Sequence, residues 1–198
     1  MFMLLEVKDS IRVLPSKFNV PLSVSVATEI TNRYANRVIP HQGLVVTLHD
    51  LLELGDPLIR PGDPSAHLTA RFRLLLFRPL PGQVILGTVK NSSEAGITVS
   101  VGFFDDILVP SGMLPIGTSW DREERVWVWE FDGNRLFIDV GEEIRFRVIS
   151  ETFEEAPPLP KDQIVMQQQK NSTAPTVTPY RITASIAEDG LGLLSWWK

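Results

Sequence analysis

The chain has 198 residues, of which 43% are hydrophobic and 22% charged, with no cysteine and a net charge of −5. Disulfides and thiolate metal sites are therefore excluded, and an acidic chain is poorly suited to gripping phosphates over a broad surface. The charge is uneven, nine Lys/Arg against seven Asp/Glu in residues 1–80 (+2) and ten against seventeen in residues 81–198 (−7), which predicts two modules with different neighbours.

In chain order, the opening MFMLL is apolar for five residues before Glu6 and lacks a basic flank. Neither a signal peptide nor a membrane span is predicted there, and an intracellular soluble protein is expected. Phe2 to Val7 reads as a short strand. Asn19 is the expected N-cap of a helix with Pro21 in its first turn, and Leu22, Val26, Ile30 and Tyr34 then recur at steps of four. Leu44 to Leu54 reads as a strand. Gly55 to Asp63 carries Pro57, Pro61 and Gly62 and reads as an exposed loop. Leu68, Ala70, Phe72, Leu74 and Leu76 alternate with polar residues as far as Arg73, the pattern of a half-buried strand. A small sheet packed on one helix is the economical fold.

Pro79-Leu80-Pro81-Gly82 marks a boundary, giving domains at 1–80 and 81–198. Beyond it short β patterns follow closely, at 83–90, 96–102, 106–109, 126–131, 136–140 and 144–149, and suggest a small closed barrel of the OB type. The expected class is therefore α+β, an N-terminal α/β domain followed by an all-β barrel. The Pro- and Gln-rich stretch at about 154–179 reads as a mobile insertion. Tyr180, Ile182, Ala184 and Ile186 then alternate again and predict a strand that returns to the barrel.

Little here promises catalysis. His41, His49 and His67 lack metal-ligand spacing, and no metal or cofactor is expected. Asp105-Asp106 would point to opposite faces of a strand, and a turn before a strand is the better reading. No Walker motif, dinucleotide loop or nucleophile elbow is present. A hydrolase with an unrecognised site would have to use Asp105 or Asp106. OB barrels instead bind single-stranded nucleic acid by stacking and phosphate contact, and Lys90, Phe103, Phe104, Arg145 and Arg147 are the candidates for that. Trp127 and Trp129 share one strand face and suit a core or partner contact better than an RNA platform. The acidic balance of this half predicts weak, salt-sensitive RNA binding.

Residues 4–36, the Pro40 and Gly43 turn, and the run TARFRLLLFRP at 69–79 followed by Gly82-Gln83-Val84 resemble the S1-containing stalk protein of multisubunit RNA polymerases, a family with archaeal as well as nuclear members. FFDDILVP at 103–110 with Met113-Leu114, Trp127-Val128-Trp129, EIRFRV at 143–148 and DGLGLLSWW at 189–197 resemble the RNA polymerase III member in particular. The resemblance implies a non-catalytic nuclear subunit that pairs with a small helical partner, docks on the polymerase core and faces initiation factors and nascent RNA. No membrane partner is implied. It assigns docking to the loops 15–21 and 55–67, hence to Pro15, Lys17, Phe18, Pro21, Pro57, Arg60 and Pro61, whose prolines would lower the entropy cost of docking. RNA-binding S1 domains often carry Phe-Gly-x-Phe and a nearby histidine; here the region reads Ala95-Gly96-Ile97-Thr98, with Pro110 in the histidine's place. Alternative readings are the stalk subunit of another nuclear polymerase and a free S1-type RNA-binding protein of decay or translation.

Overall fold

The computed structural model describes residues 1–154 and 179–197, so the expected insertion lies, apart from its two end residues, outside the described residues. The chain divides into two compact units, Met1–Pro79 and Leu80–Lys198.

In the first unit a long strand β1 (Phe2–Val13) leads through a 3-10 turn at Pro15–Lys17 into helix α1 (Leu22–Tyr34). Strands β2 (Val38–Ile39), β3 (Gly43–Leu54), β4 (Leu58–Arg60) and β5 (Asp63–Phe77) follow. The sheet order is β1-β5-β3-β2, with β4 also pairing with β5. On β5 the alternation read in the sequence becomes one buried row, Leu68, Ala70, Phe72, Leu74 and Leu76. Val26 and Ile30 of α1 and Ile11 and Val13 of β1 complete this core. Each such side chain contributes about 1.5–3 kcal/mol by leaving water, which outweighs the modest helix propensity of Val and Ile. Tyr34 ties the helix end to the sheet through a 2.5 Å hydrogen bond to Asp9 Oδ2. Burial and that carboxylate hold its phenol up to about 12.

Three local expectations are corrected. The helix is capped by Pro21 in extended geometry, with no side-chain cap from Asn19, because the proline ring fixes φ at the position where the chain must turn into the helix. The first strand runs twelve residues rather than six, since polar Ser10 and Arg12 alternate with buried Ile11 and Val13. Leu58–Arg60, expected as loop, pairs with Ala66 and His67 as a short edge strand, and its prolines flank the pairing without interrupting it.

The second unit is a barrel. Strands β6 (Val84–Ser93), β7 (Gly96–Ser100) and β8 (Ile107–Pro110) form an antiparallel meander. A separate antiparallel sheet of β9 (Thr118–Asp121), β10 (Val126–Phe131) and β11 (Asn134–Ile138) follows. Then come β12 (Glu143–Phe153), β13 (Tyr180–Ser185) and the two-residue β14 (Gly192–Leu193). β12 pairs with both β6 and β13, and β13 runs parallel to β8, with Ile182 beside Ile107 and Thr183 beside Leu108. Five strands thus close on themselves and leave no free edge among them. Ile85, Val89, Ile97, Val99, Ile107, Val109, Ile144, Phe146, Val148, Ile182 and Ala184 are the buried alternating positions. The returning strand is found where the alternation from Tyr180 placed it. Glu154 N–H donates to Pro179 O at 3.1 Å, so the two ends of the segment outside the described residues lie side by side.

Candidate docking surface and barrel face

In the first unit the turn at Pro15–Lys17, the start of α1 and the β4 edge enclose a groove of about 330 Å³. Its lining is largely apolar: Val13, Phe18, Val20, Leu22, Pro57, Ile59 and Ala66, with Lys17 and Ser25. Three of the expected docking residues, Lys17, Phe18 and Pro57, meet here although some forty positions separate the two loops. The other four frame it. Pro15 opens the 3-10 turn, Pro21 caps the helix, Arg60 sits opposite Asp63 in the β4–β5 register, and Pro61 lies in the turn between them.

The groove is held from behind by polar contacts. Ser25 Oγ donates to Lys17 O at 2.9 Å, and Lys17 Nζ lies 2.6 Å from Glu29. Beside β4, Asp63 accepts from Arg12 at 3.1 Å, from Ser65 N–H at 3.0 Å and contacts His67 Nε2 at 2.8 Å. The His67 and Ser65 contacts hold its carboxyl well below the usual carboxylate range. Of the apolar lining, the resemblance names Phe18 and Pro57 and leaves out Val20 and Ile59. Phe18 is 46% exposed and Ile59 64%, with Leu14, Val20 and Leu58 also exposed.

The five barrel candidates have different surroundings. Lys90 is paired with Asp105, which also accepts from Ser100 Oγ at 2.6 Å. Those donors lower the Asp105 carboxyl, whereas burial raises that of neighbouring Asp106. Arg145 donates to Gly190 O at 3.3 Å, and Arg147 lies 2.6 Å from Glu188. Phe104 is buried, its ring 5.3 Å from that of Tyr180, while Phe103 is 45% exposed. The pair Asp105-Asp106 sits in the loop between β7 and β8, as read from the sequence. Trp127 and Trp129 do share a face of β10. Trp127 is buried with its Nε1–H on Ser93 O, and Trp129 packs 4.8 Å from Trp196.

Comparison with known proteins resolves what this geometry belongs to. Residues 83–197 match the family described as RNA polymerase III subunit Rpc25. Residues 8–64 match the SHS2 domain found at the N terminus of Rpb7p and Rpc25p. The chain is 40% identical to the DNA-directed RNA polymerase III subunit rpc8 of Schizosaccharomyces pombe over the whole of both chains. It is 37% identical to the RPC8 subunit of Bos taurus over all of this chain and 98% of that one. The RNA polymerase II subunit RPB7 of Saccharomyces cerevisiae is 26% identical, over 52% of this chain and 61% of its own. A full-length match, with a family boundary that falls between the two compact units, leads to one conclusion: the chain belongs to the family of RNA polymerase III subunit Rpc25.

Proposed function

We propose that the chain acts as the stalk subunit of a nuclear RNA polymerase III. It would be a non-catalytic protein that pairs with a small helical subunit and serves in initiation. The observation that carries this reading is the full-length similarity to subunits named for RNA polymerase III, set against a half-length similarity to the RNA polymerase II counterpart. The barrel is read as an S1-type OB-fold. Its strand order, with one parallel pair between β8 and β13 closing an otherwise antiparallel ring, supports that. The apolar groove around Phe18 and Ile59 docks on the polymerase core, and its prolines limit the freedom lost on docking.

The barrel contributes presentation rather than tight RNA capture. Lys90 and Arg147 are ion-paired within the chain, and Phe103 is the exposed ring among the five candidates. Transcript contact through this face is weak and falls steeply with salt. The docking claim is tested with Phe18→Asp and Ile59→Asp in the full chain. Both side chains are exposed, so the circular dichroism spectrum should be unchanged, while recovery of polymerase core subunits through the tagged chain should fall about tenfold or more, as expected when an interface anchor is lost. Wild-type recovery from folded variants would remove the groove from the interface.

A further inference from the structure

The acidity of the second unit is concentrated in one place. Residues 117–143, which span β9, β10 and β11, hold eight Asp/Glu against three Lys/Arg (−5). The rest of residues 81–198 holds nine against seven (−2). The same small sheet carries a ladder of aromatic rings. Trp129 and Phe131 lie two residues apart on β10 and so share a face, with ring centroids 4.9 Å apart. Trp196 lies against Trp129 in turn, at 4.8 Å. Trp129 Nε1–H donates to Ile116 O at 3.1 Å, which sets Ile116 beside the ladder with its side chain 97% exposed.

The needs of the core are met one step along the strands, where Trp127 and Ile138 face each other in the register and are buried. The ladder itself stays open to solvent. Phe131 is 58% exposed, and Trp129 and Trp196 are half-buried. Acids stand at both ends of it. Asp132 follows Phe131 in the hairpin turn, and Glu142 accepts from Ser195 Oγ at 3.4 Å, next to Trp196. Neither carboxylate has an ion pair among the described residues. On the opposite face of the sheet Arg135 shows which group such surroundings hold. Its guanidinium lies over the Phe137 ring, 6.0 Å from the centroid.

We infer that the ladder of Phe131, Trp129 and Trp196, flanked by Asp132 and Glu142, receives an arginine-bearing segment of a protein partner. Charge decides between the two kinds of ligand that stack on exposed rings. Single-stranded nucleic acid needs cations to follow its phosphates, and here a phosphate would meet two unpaired carboxylates in a module of charge −5. A guanidinium suits both parts of the site. It is planar and weakly hydrated, so it lies on a ring face while its edge donates to a carboxylate. An ammonium is compact and strongly hydrated, and it satisfies the carboxylates without stacking as well. None of these residues is among the five barrel candidates for RNA, so the site adds a protein contact to the barrel.

The full chain tests this with a short peptide of alternating arginine and serine as the probe, followed by tryptophan fluorescence and by titration calorimetry at low salt. The peptide should bind, and Phe131→Ser should weaken it about tenfold, as expected when an aromatic anchor is lost. The double variant Asp132→Asn, Glu142→Gln should weaken it by a similar factor. Asn tolerates the positive φ of 48° at position 132, and unchanged far-ultraviolet dichroism checks that the variants are folded. If the double variant fails that check, Asp132→Asn alone serves. A peptide of alternating lysine and serine should bind several-fold more weakly. Binding that survives Phe131→Ser, or equal binding of the two peptides, reduces the site to unspecific charge attraction and overturns the inference. Binding of oligouridylate that falls with Phe131→Ser assigns the ladder to RNA and overturns it too. No binding of the arginine peptide by either readout contradicts it outright.

Discussion

At Asp105 the electrostatics of the barrel face become a stability that can be measured. Lys90 and Ser100 donate to its carboxylate, which lowers its affinity for a proton in the folded chain relative to the unfolded one. A depressed carboxyl contributes stability that is fully present above the unfolded value of about 3.9 and is lost as pH falls through the folded value. The urea midpoint of the wild type should therefore drop on going from pH 5 to pH 3, and that of Asp105→Asn should drop less. Equal slopes would show that the Lys90–Asp105 pair is too solvent-screened to matter. Asp106 works in the opposite sense: burial raises its carboxyl, so it contributes stability as pH falls, and its removal should steepen the loss toward low pH. The same pairing explains why the barrel candidates could not be sorted from the sequence. Lys90 and Arg147 are basic residues in a β context, but the acids that neutralise them, Asp105 and Glu188, lie fifteen and forty-one positions away.

At the scale of elements, Gly192 shows how a short segment seats the aromatic end of the chain. Its φ is +96°, and a Cβ added there would stand 2.3 Å from the Trp196 ring. Trp196 in turn packs on Trp129 of β10. Gly192→Ala should destabilise the fold by roughly 1–3 kcal/mol through positive-φ strain and overpacking, with a loss of near-ultraviolet tryptophan dichroism. An unchanged denaturation midpoint would contradict that packing. Elements whose burial is one-sided were legible in advance. β5 and β12 alternate because one face of each is core, and α1 shows its stripe for the same reason. β4 was not legible, since three residues between prolines carry no period and their pairing depends on Ala66 and His67 across the turn. β9 was missed likewise: Thr118–Asp121 alternates weakly, and its strand character comes from pairing with β10. Of the docking groove, the resemblance supplied Lys17, Phe18 and Pro57. Val20 and Ile59 escaped notice because isolated apolar residues in loops give no sign of whether they are covered.

For the whole molecule, two units carry two tasks. The first presents an apolar groove and, among the described residues, a β1 strand paired on one side only; the second is a closed barrel in which Lys90, Arg122 and Arg147 are ion-paired within the chain. Neither unit assembles a nucleophile, base and orienter among the described residues, and binding is the activity the account assigns to both. The most direct test of that account is affinity purification of the tagged full chain from its native cells at moderate salt, with identification of what co-elutes. The account predicts the core subunits of RNA polymerase III together with one small helical partner. Recovery of the chain by itself, or with factors of RNA decay or translation and no polymerase, would contradict it.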